Sequence, residues 1–83
     1  MSDIEPLPTD AEEYLEALNR GNAFFVRGEF AEAIAAFTEA IEIDSNRSLA
    51  YYSRCAAHYA SGDEARSEAD RMSAERLETT SGR

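Results

Sequence analysis

Eighty-three residues, 43 % of them hydrophobic, are enough for one small domain with a core and too apolar for a wholly disordered chain. Seventeen acidic residues against eight basic ones, all arginine, give a formal charge of −9, which repels phosphate backbones and anionic lipids and argues against nucleic acid and membrane partners. The single cysteine, Cys55, excludes an internal disulfide and a thiolate zinc cluster, and it fits a reducing, cytoplasmic setting.

Met1 to Pro8 carries Pro6 and Pro8 without an apolar period and is expected to be a flexible leader. No basic start followed by an apolar segment marks a secretory signal. Thr9 with Glu12 three residues on has the spacing of a capping box and predicts a helix start. Apolar residues then recur at steps of three and four on two faces of this helix, so it has neighbours on both. It is expected to stop near Arg27, because Gly28 suits the left-handed residue that follows a helix.

Phe30 to Ile43 predicts a second helix, with Phe30, Ala33, Ile34, Phe37, Ala40 and Ile41 on a wide apolar stripe and Glu29, Glu32, Glu39 and Glu42 opposite. Asp44-Ser45-Asn46 is turn chemistry. A third helix is expected from about Arg47 to Ser61, stopped by Gly62. Asp63 caps a fourth, to about Leu77, and 79–83 is expected to fray as a flexible tail.

A shift of 34 overlays the chain on itself. Leu15 falls on Leu49, Arg20 on Arg54, Ala23 on Ala57, Gly28 on Gly62, and Ala31, Ala35 and Ala40 on Ala65, Ala69 and Ala74. The duplicated unit is helix, glycine turn, helix. In the fourth helix Ala33, Ile34, Phe37 and Ile41 become Ser67, Glu68, Arg71 and Glu75. A one-residue slip would instead align Ala65, Ala69 and Met72 as a stripe, so two registers remain open.

These residues resemble the tetratricopeptide repeat (TPR) family. In GNAFFVRGEFAEAIAAFTEAIEID, Gly21 is the small residue where two helices touch, Phe24 the aromatic three on, Gly28 the turn, and Ala33, Phe37 and Ala40 the A-x-x-x-F-x-x-A pattern. LAYYSRCAAHYASGD repeats the first helix, with Tyr51, Cys55 and Gly62 at the large, small and turn positions. Ala17 replaces the usual large aromatic, Arg20 and Arg54 the usual leucine, and Ser45 the usual proline. The resemblance implies an all-α fold: two helix-turn-helix hairpins stacked as a short right-handed solenoid over 9–78. Repeat one lies near 14–47 and repeat two near 48–78, with the polar fourth helix as a cap. Phe37 is expected between the two repeats.

Chemistry-bearing patterns are sparse. Cys55 and His58 share a helix face but align with Gly21 and Phe24, so packing is the expected role, and no second histidine exists to complete a metal site or a triad. Glu12, Glu13 and Glu16 read as a solvated first turn favoured by the helix dipole. Neither glycine of the first helix lies in a phosphate-binding loop. No enzyme activity and no cofactor is expected.

The resemblance instead implies protein recognition on the concave face formed by the first helix of each repeat. The groove is expected from Leu18, Asn19, Asn22, Phe25 and Val26 with Leu49, Tyr52, Ser53, Ala56 and Tyr59. The ligand is expected to be a protein or peptide with basic flanks, because all the excess acid lies in residues 1–46. Co-chaperones of the family hold acidic chaperone tails in a carboxylate clamp. Asn22 matches one clamp residue, whereas Leu18 stands where a lysine belongs and Ser53 where an asparagine does. A chaperone-binding role and a self-associating, homodimeric assembly module are the alternatives to an adaptor.

Overall fold

The structure is a computed structural model that describes residue 7 and residues 9–81. Apart from Leu7, the leader expected at 1–8 lies outside the described residues, as do 82–83. Four helices follow one another: α1 (Asp10–Val26), α2 (Phe30–Ile43), α3 (Ser48–Ala60) and α4 (Glu64–Ser81), with no strand among the described residues. None of them is long and apolar enough to cross a membrane.

Local chemistry sets the helix ends. At the start of α1 the Thr9 hydroxyl accepts the Glu12 N–H at 3.1 Å, and the Glu12 carboxylate accepts the Thr9 N–H at 2.9 Å. The expected capping box is formed. α1 and α3 end alike. Gly28 (φ 77°) and Gly62 (φ 92°) take the left-handed conformation. The next residue's N–H then reaches back five residues, Glu29 to the Phe24 carbonyl and Asp63 to the His58 carbonyl. Between α2 and α3, Asp44 Oδ1 accepts the Asn46 N–H at 3.0 Å. At the start of α4, Asp63 Oδ1 accepts the Arg66 N–H at 3.1 Å. That bond, with the Arg66 guanidinium beside it, holds the Asp63 carboxyl below its ordinary pKa.

The start of α3 has no cap from its own sequence. The Ala50 N–H there donates instead to Tyr14 Oη, 3.1 Å away on α1. Arg47 lies over the Tyr14 ring at 4.9 Å. A buried tyrosine of repeat one thus caps the first helix of repeat two, and burial pushes its phenol pKa up.

The helices pack in chain order, α1 on α2, α2 on α3 and α3 on α4, with a thinner contact between α1 and α3. This is the arrangement of two stacked helical hairpins. One buried cluster runs through both hairpins: Tyr14, Ala17, Leu18, Ala33, Phe37, Ala40, Ile41, Ala50 and Ala57. Phe37 is buried in the cluster that runs through both hairpins, and its ring covers Gly21 on α1, where a Cβ would stand 2.4 Å from it. Glycine alone leaves room there for an aromatic ring.

α4 decides between the two registers. Ser67, Asp70 and Ala74 are buried, at the positions of Ala33, Ala36 and Ala40 shifted by 34. The alternative stripe of Ala65, Ala69 and Met72 faces solvent. On the outer side Arg71 pairs with Glu68 and, at 2.7 Å, with Glu75. The helix also outruns its expected end at Leu77 and continues to Ser81. Glu78 is tied to α3 by Tyr52 Oη at 2.9 Å and Ser48 Oγ at 3.4 Å. The Thr79 and Thr80 hydroxyls donate back to the Glu75 and Arg76 carbonyls. The frayed tail expected at 79–83 is therefore helical through Ser81.

Candidate interaction surface

Tyr14 brings the starts of α1 and α3 together, so the faces of these helices turned away from α2 and α4 adjoin. Of the ten residues expected to form a groove, Asn19, Asn22, Val26, Leu49, Ala56 and Tyr59 are exposed. Tyr59 is 66 % accessible, much for an aromatic in so small a domain. Ser53 is half-buried.

Three of the ten are committed elsewhere. Leu18 is 5 % accessible and belongs to the core cluster. Phe25 is half-buried and meets Phe30 edge-on at a centroid distance of 5.4 Å, closing the turn between α1 and α2. Tyr52 is half-buried and donates to Glu78, a bond that raises its phenol pKa, so it fastens α4 to α3. Leu15 had not been expected at the surface site. It is 47 % accessible, as its repeat mate Leu49 is at 54 %. The signal was present in the 34-residue overlay, where the two leucines coincide.

The other polar centre is in repeat two. Arg54 holds Asp70 side-on, through Nε at 2.8 Å and Nη2 at 2.7 Å, and donates to Thr38 of α2 at 3.0 Å. Asp70 is the main cause of the raised Arg54 pKa. Arg20, its mate in repeat one, reaches Glu39 at 2.8 Å. Both arginines standing at the family's leucine position therefore staple the hairpin they belong to. His58 Nε2 lies 3.7 Å from Asp70 Oδ2, and Cys55 Sγ 3.1 Å from Ser67 Oγ. The expected packing role of Cys55 and His58 takes a polar form: each is half-buried or buried against a polar residue of α4. No group of three metal-ligating side chains occurs among the described residues.

Paired helices, repeated glycine turns and a surface drawn from the first helix of each pair define a helical-repeat protein. The profile of the TPR repeat matches residues 21–62, half of the chain, and the chain belongs to that family. It is 39 % identical over 54 residues to serine/threonine-protein phosphatase T of Saccharomyces cerevisiae, covering 65 % of this chain and 10 % of the relative. It is 42 % identical over 53 residues to the protein of that name in Schizosaccharomyces pombe, covering 64 % and 11 %. It is also 55 % identical over 40 residues to a DnaJ homolog subfamily C member 7 homolog of Schizosaccharomyces pombe, covering 47 % and 8 %. The chain thus spans about a tenth of the length of these curated relatives. No solved structure matches it significantly. Repeats of this family serve protein–protein interaction.

Proposed function

We propose that the chain is a non-enzymatic adaptor that holds a peptide or helix of a partner protein against the face shared by α1 and α3. The supporting observation is the pair of exposed leucines, Leu15 and Leu49, at equivalent places on the two helices, with Tyr59 and Val26 exposed towards the other helix ends. Apolar side chains spaced along parallel, equivalent helices suit apolar anchors of an amphipathic helix or an extended peptide. The acid excess of residues 1–46 favours basic residues beside those anchors and faster association at low salt. A cytoplasmic setting accords with the lone free thiol.

The test is partner capture by the full chain and by a Leu49→Ala, Tyr59→Ala double variant. Both side chains are exposed, so circular dichroism should remain helical while capture is lost. An aromatic anchor of this kind is often worth about 2 kcal/mol or more. A folded variant that captures the same partners would place the function on another face.

A second reading has one observation in its favour, the likeness to a DnaJ homolog. A chaperone tail needs cationic donors for its carboxylates. Leu18 supplies none and is buried. Calorimetric titration with an acidic chaperone-tail peptide should therefore show nothing tighter than about millimolar, near −4 kcal/mol. Low-micromolar binding would reverse the order of the two readings.

A further inference from the structure

Repeat two departs from repeat one at matched places on facing helices. Phe24 and Ala36 of repeat one become His58 and Asp70, and Gly21 and Ala33 become Cys55 and Ser67. Each replacement on α3 faces its counterpart on α4, His58 near Asp70 and Cys55 against Ser67. Charges placed in a core lose hydration and seldom stabilise a fold more than well-packed apolar groups of similar size. The Arg54–Asp70 pair is largely withdrawn from solvent, with its side chains 21 % and 7 % accessible. Folding alone does not call for it, because the upstream hairpin keeps apolar Phe24 and Ala36 where this one has His58 and Asp70.

The same groups line a cleft of about 340 Å³ between α2 and α4, floored by α3. Ile34 of α2 and Ala69 of α4 are its apolar walls, Thr38, Arg54, His58 and Asp70 its polar floor, and Arg66 stands on its edge. A guanidinium carries five N–H donors. Asp70 and Thr38 take three of those on Arg54, which leaves two without an acceptor among the described residues. The Asp70 charge is met by Arg54, and Arg66 is three-quarters exposed, paired with Asp63 outside the lining. The lining thus has unspent donors on Arg54, while its charges are balanced, Arg54 by Asp70 and Arg66 by Asp63. A cation is disfavoured there. A planar oxyanion suits the remaining edge of a guanidinium that already holds one carboxylate.

We propose that this cleft binds a carboxylate of a protein partner, either an acidic side chain or a chain terminus, through Arg54 with Arg66 at the rim. The site is walled by α2 and α4, whereas the adaptor surface belongs to α1 and α3, so neither depends on the other.

The experiment is an NMR titration of the full chain that follows the Arg54 Nε–H and the Ile34 and Ala69 amides. N-acetylglutamate α-amide presents a side-chain carboxylate, and N-acetylglycine a terminal one. N-acetylglutamine amide is the neutral control, and inorganic phosphate the rival anion. Saturable low-millimolar shifts with one or both carboxylates are expected, with the stronger of the two identifying the source. Arg66→Gln should weaken them roughly two- to fivefold, the range of an exposed ion pair. Ala69→Leu fills the cleft from an exposed helix position and should abolish the shifts while circular dichroism is unchanged. The proposal is overturned by an absence of saturable shifts, by an equal response to the neutral control or to phosphate, or by shifts that survive Ala69→Leu.

Discussion

Gly21 and Phe37 show how much one missing methyl group can decide. A Cβ at position 21 would meet the Phe37 ring at 2.4 to 2.9 Å, inside any real contact distance. Gly21→Ala should then cost about 1–3 kcal/mol through overpacking. Phe37→Ala should cost roughly 3–5 kcal/mol through a cavity. Together they should cost less than the sum, because the truncated ring leaves space for the methyl group, and contacting residues are where additivity fails. Urea unfolding of the two single variants and the double variant measures this directly. A strictly additive cycle would mean that the two residues do not touch. The pair was legible in the sequence as a small residue and a large one at matching steps of two amphipathic helices. The closeness of their contact was not, because periodicity tells which face of a helix is apolar and not how near its neighbour comes. Tyr14 is the sharper case. Its apolar ring could be placed in a core stripe, but its hydroxyl meets the Ala50 N–H across 36 residues. No local pattern announces a cap donated from another hairpin.

Among the elements, α4 was the least legible. A helix whose buried positions are Ser67, Asp70 and Ala74 has no hydrophobic period to read. What fixes its register is side-chain chemistry on α3, Arg54 for Asp70 and Cys55 for Ser67. The substitutions were visible one by one as departures from the repeat, and the missed signal was that they came in facing pairs. Tyr52 and Leu18 share a repeat position, and both are drawn away from solvent there, Leu18 into the core cluster and Tyr52 to its bond with Glu78. If the polar centre is held against a stability cost, its parts should behave unequally. Asp70→Ala alone strands Arg54 and should destabilise by about 2–4 kcal/mol, since Arg54 retains some solvent. Restoring the apolar pattern with Arg54→Leu, His58→Phe and Asp70→Ala together should be neutral or stabilising, by up to about 3 kcal/mol. Thermal melts of the single and triple variants distinguish the cases. A triple variant as unstable as the single one would show that the cluster contributes net stability.

For the whole molecule, solenoids of this kind usually stack three or more repeats, and the question is what the outer face of α4 offers to a further one. α2 is covered on both sides, by α1 and α3, whereas α4 has only α3. The apolar stripe Ile34, Phe37, Ile41 of α2 is replaced on α4 by Glu68, Arg71, Glu75, with Arg71 ion-paired to both glutamates. Exposed pairs of this kind contribute little to stability, about 0–1 kcal/mol each. Their effect is on association, because a second copy stacking on this helix would have to strip water from three charges. The wild-type chain should therefore sediment as a monomer at micromolar concentration. The triple variant Glu68→Ile, Arg71→Phe, Glu75→Ile restores the stripe of repeat one to an uncovered face. It should self-associate in a concentration-dependent way, and since a head-to-tail contact does not close on itself, it should pass beyond a dimer into larger species. Sedimentation velocity over a concentration series reads both outcomes. A wild-type dimer would mean that α4 is an interface and not a cap, and would return the self-associating module to first place. A triple variant that stays monomeric would mean that something other than these charges keeps the end of the array closed.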